Sequence, residues 1–347
     1  MRNLVIVFFV VSALVAACSE SAYGEPPGWR VAVERAGGSL GGFRDVGATG
    51  PGDAWVVRDG RPLLRWDGRG WRGQGGAAVP YLVTAAGPRE AWQFVEHGRR
   101  LDARRWDGRT WQPHPIPTAG AHATAAVAAG PGDCWVAGLR FGPHGMTDVA
   151  WHFTDGRWRQ VDVPSPITDL AAAGRNDVWA LSSAGRLPSI LHWTGHGWRR
   201  TPVPSIGVPE RSRAGDATVE LDDVAVTGRN EAYAVGAVVL PLNEGRVIRE
   251  AVVLRWNGST WRRLAHRPAE TAYTRVAPDG AGGLWLVTQR QDHPDVLTHH
   301  AGGRWTPVEV PAVAVKGLAN VPGTRDMWAT AESRESGATR QLILSYR

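Results

Sequence analysis

The chain has 347 residues, including 43 Gly, 24 Pro and 18 Trp, and a formal net charge of +6. Its two cysteines exclude a disulfide-rich scaffold. Every basic residue except Lys316 is arginine, and the arginines do not cluster, which argues against nucleic acid as a partner and leaves anionic surfaces as candidates.

The N-terminal residues predict export and lipid anchoring. The apolar run at 4–15 is too short to span a membrane comfortably, so residues 1–17 are predicted to be a signal peptide. Val15-Ala16-Ala17-Cys18 resembles the bacterial lipobox, in which the cysteine is lipidated. We therefore expect lipidated Cys18 and a polar tether at 18–27, which hold an exported chain at the outer face of the cell membrane through this anchor alone. The alternative is ordinary signal-peptide cleavage with an incidental cysteine.

The rest of the chain is a repeat. A glycine followed five residues later by an aromatic residue returns seven times, at spacings of 37 to 54 residues. The pairs are Gly50/Trp55, Gly87/Trp92, Gly130/Trp135, Gly174/Trp179, Gly228/Tyr233, Gly280/Trp285 and Gly323/Trp328. Between them lies a second unit, an aromatic residue followed five residues later by Trp, as in Trp66 and Trp71. A period of this length is typical of propellers.

The first repeat predicts four short strands, at 43–48, 54–57, 63–66 and from 71 onwards. Turn-forming residues separate them at 50–53 and 67–70. Mostly β-branched and aromatic strands of this length, bounded by turns, are what one blade requires.

The two chain ends predict how the ring closes. The seventh repeat stops before its fourth strand, whereas residues 28–33 form an extra strand in which Trp29 takes the place of Trp71. We therefore predict an all-β fold at 28–347. It is a seven-bladed β-propeller of four-stranded antiparallel blades, with the last blade closed by the N-terminal strand so that no long sheet edge is exposed.

The tryptophans predict a core between blades. All of them except Trp151 fall on repeat positions. Each buries a large apolar area, so the domain is expected to need neither a disulfide nor a metal for stability. Cys134 aligns with small or apolar residues of the other repeats and is expected to be buried rather than nucleophilic.

Loop lengths predict a binding face. In a four-stranded blade the 1–2 and 3–4 turns share one face, and here they keep a constant length. The 2–3 loops and the blade-to-blade links share the opposite face and vary, which often marks a binding surface. The candidate ligand-binding residues in these loops are Arg140, His144, Arg211, Arg213, Glu244, Arg246, Arg249, Glu250, Asp292 and His293. The alternative is that the insertions are solvated loops without a ligand.

A second group lies at the start of the predicted inner strands. Asp45, Asp169 and Asp223 each precede their repeat glycine by five residues, and a ring of carboxylates there would be a weak candidate metal site. Arg275 occupies the equivalent place in the sixth repeat and is expected to pair with one aspartate, so we expect no metal and no cofactor.

Another acidic position recurs two residues before the strand-2 aromatic, where a turn-capping role is expected. Its members are Asp53, Glu90, Asp133, Asp177, Glu231 and Asp326. His152, His192 and His299 recur at the position of Arg65 and are expected to lie on a strand face.

The segments GPGDAWVV at 50–57 and LLRWDGRGW at 63–71 resemble the repeats of bacterial exported propellers, loosely grouped with Asp-box, kelch and YVTN-type repeats. The resemblance implies the fold and the exported lipoprotein class, and it names no catalytic residue. The leading hypothesis is a monomeric, non-enzymatic scaffold that binds a protein partner or an anionic envelope glycan. The alternative is a glycan-active hydrolase or lyase of sialidase-like architecture. An assembly factor or sensor subunit beside a membrane complex is a third reading.

Overall fold

The computed structural model describes residues 27–37, 41–74, 78–85, 90–98, 100–118, 120–142, 145–182, 188–206, 217–241, 247–266 and 268–347. Over these ranges the chain forms strands, turns and bends, so the all-β prediction is confirmed. No helix long and apolar enough to cross a membrane occurs in them.

Seven antiparallel four-stranded sheets form the blades. Blade 1 contains β2 (Phe43–Gly50), β3 (Asp53–Arg58), β4 (Arg61–Trp66) and β5 (Trp71–Gly73); blade 2 contains β6 (Pro80–Ala85), β7 (Ala91–His97), β8 (Arg100–Trp106) and β9 (Trp111–Pro113). Blade 3 contains β10 (Ala121–Gly130), β11 (Asp133–Gly142), β12 (Gly145–Thr154) and β13 (Arg157–Val161); blade 4 contains β14 (Asp169–Gly174), β15 (Asp177–Ser182), β16 (Ser189–Trp193) and β17 (Trp198–Thr201). Blade 5 contains β18 (Thr218–Gly228), β19 (Glu231–Pro241), β20 (Val247–Trp256) and β21 (Trp261–Arg263); blade 6 contains β22 (Thr271–Pro278), β23 (Leu284–Arg290), β24 (His293–Ala301) and β25 (Arg304–Val308).

Blade 7 is built from both ends of the domain. It contains β26 (Ala314–Asn320), β27 (Met327–Glu335), β28 (Ala338–Tyr346) and, as its outer strand, β1 (Trp29–Ala36). Trp29 lies opposite Tyr346 in the register of β1 with β28, and the Gly28 N–H donates to the Arg347 carbonyl at 3.0 Å. The predicted closure by the N-terminal strand is confirmed.

In blades 1, 2, 3 and 5 the turn between the third and fourth strands contains an Asp-Gly or Asn-Gly pair. The Asp67 Oδ1 accepts hydrogen bonds from the Arg69 and Gly70 N–H groups at 3.0 and 2.9 Å. Gly68 has a φ of +85°, which an L residue adopts only with strain. Asn257 accepts the same two bonds in blade 5, so an amide serves as well as a carboxylate at this position.

The blades adhere through aromatic side chains. Trp135 of β11 is fully buried, and its ring lies 4.8 Å from Trp193 and 5.3 Å from Trp198 of blade 4. The same relation of a second-strand ring to two rings of the next blade recurs with Trp55, Trp92, Trp179, Trp285 and Trp328. These six interfaces are therefore held by the same aromatic contact, as the spacing of the tryptophans indicates.

Cys134 lies in this core with no exposed surface, as predicted. Burial raises the pKa of its thiol well above the usual range, so the sulfur stays protonated and unreactive.

The two faces of the propeller differ. We call the face with the 1–2 and 3–4 turns the fixed-turn face, and the opposite one the variable-loop face. Strands β19 and β20 of blade 5 contain 11 and 10 residues, whereas β3 and β4 of blade 1 contain 6 each. Since the turns are similar at the other end, the extra length extends blade 5 on the variable-loop face.

Candidate functional site

The inner strands of the seven blades surround a central channel with a cavity of about 480 Å³. In β2, β18 and β22 a β-bulge shifts the register immediately before Asp45, Asp223 and Arg275. A bulge bends its strand and redirects the side chain beside it. These three residues, with Asp169 and Asp222, line the variable-loop end of the cavity, which we call the channel mouth.

Asp169 and Asp223 form a pair of carboxyl groups. Both accept a hydrogen bond from the Val224 N–H, Asp169 through Oδ2 at 2.8 Å and Asp223 through Oδ1 at 2.9 Å. The second Asp223 oxygen accepts from the Val276 N–H at 2.8 Å, so the pair joins blades 4, 5 and 6. Burial raises both pKa values, and the neighbouring Asp169 charge raises that of Asp223 further. The pair is therefore expected to share one proton at neutral pH.

Asp45 and Asp222 lie beside this pair. The Asp45 Oδ1 accepts a hydrogen bond from the Val46 N–H at 2.8 Å. Burial raises the pKa of Asp45 to about 6 against the opposing effect of Arg275. Partial desolvation and the charge of Glu220 raise the pKa of Asp222 to about 6 as well, although this residue is exposed to solvent.

In the part of the chain that the structure describes, the predicted ion pair between Arg275 and an aspartate is not present. The Arg275 Nε donates to the Lys316 carbonyl at 3.0 Å, and its Nη1 donates to the Thr274 carbonyl at 2.6 Å. The guanidinium instead lies beside two backbone carbonyls, one of blade 6 and one of blade 7, which accept its hydrogen bonds. Among the described residues, no three Asp, Glu, His or Cys side chains are arranged to hold a metal ion.

Neutralising the pair should stabilise the fold. We expect Asp223→Asn to raise the Tm at pH 8 by about 2 °C or more, since one pKa unit is worth about 1.4 kcal/mol. A carboxyl whose folded pKa is raised stabilises the fold below its unfolded pKa and loses that contribution as the pH rises through the folded pKa. The gain should therefore shrink as the pH falls from 8 to 4.

Calorimetry at several pH values measures this effect, with Asp67→Asn on the fixed-turn face as the control. Backbone N–H groups lower the pKa of Asp67, so its neutralisation should give no gain. A Tm gain in Asp67→Asn equal to that in Asp223→Asn, or none in the latter, would contradict the shared proton.

From the channel mouth a depression runs outward over blades 7 and 6. Arg275 belongs both to the mouth and to a cleft of about 420 Å³, the rim cleft, which also contains Arg44, Asp59, Lys316 and Glu332. Gln289 and Asp295 belong both to the rim cleft and to a further depression of about 410 Å³, the outer groove, between blades 5, 6 and 7. Mouth, cleft and groove are thus neighbours that share lining residues.

The outer groove brings together three of the predicted ligand-binding residues. Arg249, Asp292 and His293 all line it, with Val247, which is 40% exposed, on the same wall. The Arg249 guanidinium lies 3.5 Å from the Glu220 carboxylate, and the His293 Nδ1 lies 2.7 Å from the Gln291 carbonyl oxygen. The groove therefore combines an exposed apolar side chain with polar groups, as peptide-binding surfaces do.

The remaining predicted residues lie elsewhere. Arg140 is on blade 3, where its Nη1 donates to the Gln160 Oε1 at 2.9 Å. Glu250 forms a largely buried ion pair with Arg263 at 2.5 Å. His144, Arg211, Arg213, Glu244, Arg246 and the lipidation residue Cys18 lie outside the described residues.

Sequence reasoning placed the loop at 289–293 on this face but missed Asp222 and the buried Asp295. The adjacent acids Asp222-Asp223 within a predicted inner strand were a signal, because charges are costly there unless they face the channel. The short turn between β23 and β24 places Arg290 and Asp295 on the variable-loop face.

The fixed-turn face carries a different repeated unit. The acidic residues expected to cap turns instead pair with the basic residue of the third strand. The pairs are Asp53/Arg65, Glu90/Arg105, Asp133/His152, Asp177/His192 and Glu231/Arg255, with Asp279/His299 in blade 6. In blade 7 the corresponding third-strand residue is Ser345, so Asp326 has no basic counterpart there. The histidines stack on tryptophans, as His192 does on Trp179 at 3.8 Å.

No protein-family model and no curated protein matches this sequence. Several solved structures match the fold of this chain. "YCF48 bound to D1 peptide" matches with a TM-score of 0.55 and 14% identity over 92% of this chain and 96% of that chain. YCF48 from Cyanidioschyzon merolae matches with a TM-score of 0.58 and 12% identity over 92% and 98% of the two chains.

U3-55K matches with a TM-score of 0.58 and 10% identity, also over 92% of this chain and 98% of that chain. The three structures share the propeller fold with this chain. At these identities the likeness extends to the fold alone.

Proposed function

We propose that this chain is an exported, lipid-anchored propeller that binds an extended segment of a protein partner on its variable-loop face, without catalysing a reaction. The observation that carries the proposal is the row of neighbouring depressions from the channel mouth through the rim cleft to the outer groove, which share lining residues. A groove that crosses three blades suits an extended chain better than a compact small molecule.

The structural neighbours support this choice of ligand class. YCF48 is a propeller of similar architecture whose solved structure is described as bound to a D1 peptide. Its scaffold can therefore present a peptide-binding surface. Since the identity to this chain is 14%, the position and chemistry of the surface are argued here from this chain's own residues.

Charge favours a protein segment over an anionic glycan. The channel mouth contains the four carboxyl groups of Asp45, Asp169, Asp222 and Asp223. A polyanion entering the mouth would meet these groups in a partly desolvated space, where like charges repel strongly. The net positive charge of the chain is thus not concentrated where the groove begins.

Photo-crosslinking tests the binding face. A benzoylphenylalanine residue replaces His293 in the outer groove or, as the control, Arg69 in an exposed turn of the fixed-turn face. We expect a protease-sensitive adduct from position 293 and none from position 69 when the full chain is irradiated in its own cells. Adducts from position 69 alone, or adducts removed by glycan hydrolases rather than proteases, would contradict the proposal.

A second experiment tests whether the chain cleaves a glycan. The sialidase-like alternative relies on acidic loop residues such as Glu250, whose carboxylate is held by Arg263. Incubating the full chain with fractionated cell envelope should give retention without release of saccharides. Saccharide release by the wild-type chain that is lost in Glu250→Gln would contradict the binding function and support the hydrolase or lyase.

The lipid anchor is tested separately. Metabolic labelling with an alkyne fatty acid should tag the wild-type chain and fail to tag Cys18→Ser. The variant should also move from the membrane fraction to the soluble extracytoplasmic fraction. Labelling of Cys18→Ser, or its unchanged sedimentation with membranes, would exclude anchoring through Cys18.

A further inference from the structure

We propose that the fixed-turn face binds the phosphate groups of anionic lipids at a bilayer surface, through arginines that its turns expose. The inference rests on the proposed function, since the lipid anchor would bring the propeller to a membrane, and it adds a second attachment to that membrane. A covalent lipid and a basic surface reinforce each other in membrane binding.

Arginines lie in or beside the turns of the fixed-turn face in every blade but one of the described set. Each of six is exposed, and none of the six has an ion-pair partner within 4 Å in the ranges that the structure describes. They are Arg69, Arg109, Arg157, Arg229, Arg304 and Arg325. In the remaining blade, blade 4, Arg175 takes the place of Arg229 and lies 3.8 Å from Asp133 of blade 3. These residues are far apart in the sequence, but the propeller brings them to one face.

The acidic groups of this face do not cancel the charge. Six of the acids in or beside the described turns have an arginine within 4 Å, such as Asp67 with Arg72 at 3.3 Å. The acids there that lack one are Asp107, Asp177, Asp279 and Asp326, of which the second and third each have a histidine instead. Exposed Arg199 and Arg262 follow two of the turns and add to the six unpaired arginines. The balance of the described part of this face is therefore positive.

The opposite face has negative groups at its centre. The channel mouth contains the carboxyl groups of Asp45, Asp169, Asp222 and Asp223. The charge of the propeller is thus distributed unevenly between its two faces. Such a distribution orients a protein in the field of a charged surface, here with the fixed-turn face toward an anionic one.

The positions of the arginines favour a plane of phosphates over a linear polyanion. Arg69 and Arg304 belong to turns between outer strands, whereas Arg229 and Arg325 belong to turns next to the inner strands. The charges are therefore spread over the face in two directions and do not follow one groove. A guanidinium group donates paired N–H groups to phosphate oxygens, and each basic residue close to an anionic leaflet adds to binding.

The chain also enters the propeller on this face. The Gly28 N–H donates to the Arg347 carbonyl at 3.0 Å, at the end of blade 7 that corresponds to the turns between third and fourth strands. A lipid on Cys18 would therefore be attached on the same side as the arginines.

Vesicle co-sedimentation of the full chain carrying Cys18→Ser tests this surface without the acyl group. We expect retention by phosphatidylglycerol vesicles and at least about tenfold weaker retention by phosphatidylcholine vesicles. Raising the NaCl concentration from about 0.1 M to about 1 M should remove the difference, because the screening length falls from about 10 Å to about 3 Å.

A pair of charge variants tests the arginines directly. In the same chain, Arg69→Gln/Arg304→Gln should bind phosphatidylglycerol vesicles at least about fivefold more weakly. Arg61→Gln/Arg334→Gln removes the same charge from exposed positions of the variable-loop face and should leave the binding unchanged. Since all four positions are exposed, calorimetry should give the wild-type Tm for both variants.

Equal binding to the two kinds of vesicle, or an equal loss in the two variants, would overturn the proposal. Binding to immobilised polyglutamate as strong as to phosphatidylglycerol would also overturn it and assign the face to an acidic protein. If Cys18 is nevertheless labelled and position 293 crosslinks a protein, the proposed function stands without this inference. If those two tests fail while arginine-dependent vesicle binding remains, the proposed function fails and the lipid-binding surface stands.

Discussion

Deletion of residues 27–36 is expected to lower the Tm by more than about 5 °C, because it removes β1 and opens the ring. β1 pairs with β28 from Trp29 to Ala36, and the Trp29 ring lies 5.4 Å from Trp285 and 5.7 Å from Tyr346. Loss of a fully buried tryptophan costs about 3–5 kcal/mol, which is an upper bound for the half-buried Trp29. For a propeller of about 320 residues, each kcal/mol shifts the Tm by about 1.5 °C. Differential scanning calorimetry of the full chain measures the change.

Two point variants separate the contributions of packing and strand pairing. Trp29→Ala should account for much of the loss, whereas Val31→Ala should change stability by no more than about 0.5 kcal/mol because Val31 is 43% exposed. A deletion variant that melts at the wild-type temperature would show that blade 7 does not depend on β1.

Trp135→Ala should be among the most destabilising single changes in the propeller. The side chain is fully buried between blades 3 and 4, stacks on His152 at 4.0 Å and meets Trp193 edge-on at 4.8 Å. We expect the free energy of unfolding to fall by about 3–5 kcal/mol, through lost transfer energy and the cavity left behind. Chemical denaturation measures it, and hydrogen exchange should show faster opening of blade 4 first.

Met146→Ala is the control for this variant. Met146 belongs to the same blade, but 64% of its surface is exposed, so its loss should change stability by no more than about 0.5 kcal/mol. Equal destabilisation by the two changes would mean that the interblade aromatic contact does not dominate the stability of the ring.

The fold was predictable because its signal is periodic and redundant. The tryptophans that fit the repeat pack in the same contact at six of the seven blade interfaces, and the strand predicted at 54–57 is observed as Asp53–Arg58. The turn of blade 7 departs from the constant length, since Trp328 pairs with the residue nine positions before it, Ala319, whereas Trp55 pairs with the residue eight positions before it, Gly47. Blade 6 keeps the common length, and there the Asp279 Oδ1 closes the turn by accepting hydrogen bonds from the Ala281 and Gly283 N–H groups.

The candidate site was predictable only in part. The position of Asp45, Asp169 and Asp223 at the start of inner strands follows from counting back from the repeat glycine. The bulges before Asp45 and Asp223 do not follow, since a bulge depends on how many residues the partner strand places opposite. The sequence also does not predict that the candidate loop residues lie far apart. Glu250 forms a buried ion pair, whereas its neighbour Arg249 lines the groove.

The position of the first residue of β1 determines which face of an anchored propeller would lie toward the membrane. Trp29 lies opposite Tyr346, beside the Arg347 carbonyl, so the polypeptide enters blade 7 on the fixed-turn side. The ten residues at 18–27 reach at most about 35 Å when fully extended. A lipid on Cys18 would thus hold the ring with its histidine–tryptophan stacks toward the bilayer. The channel mouth would then face away from the bilayer, and its partners would approach from the surrounding fluid rather than from within the membrane.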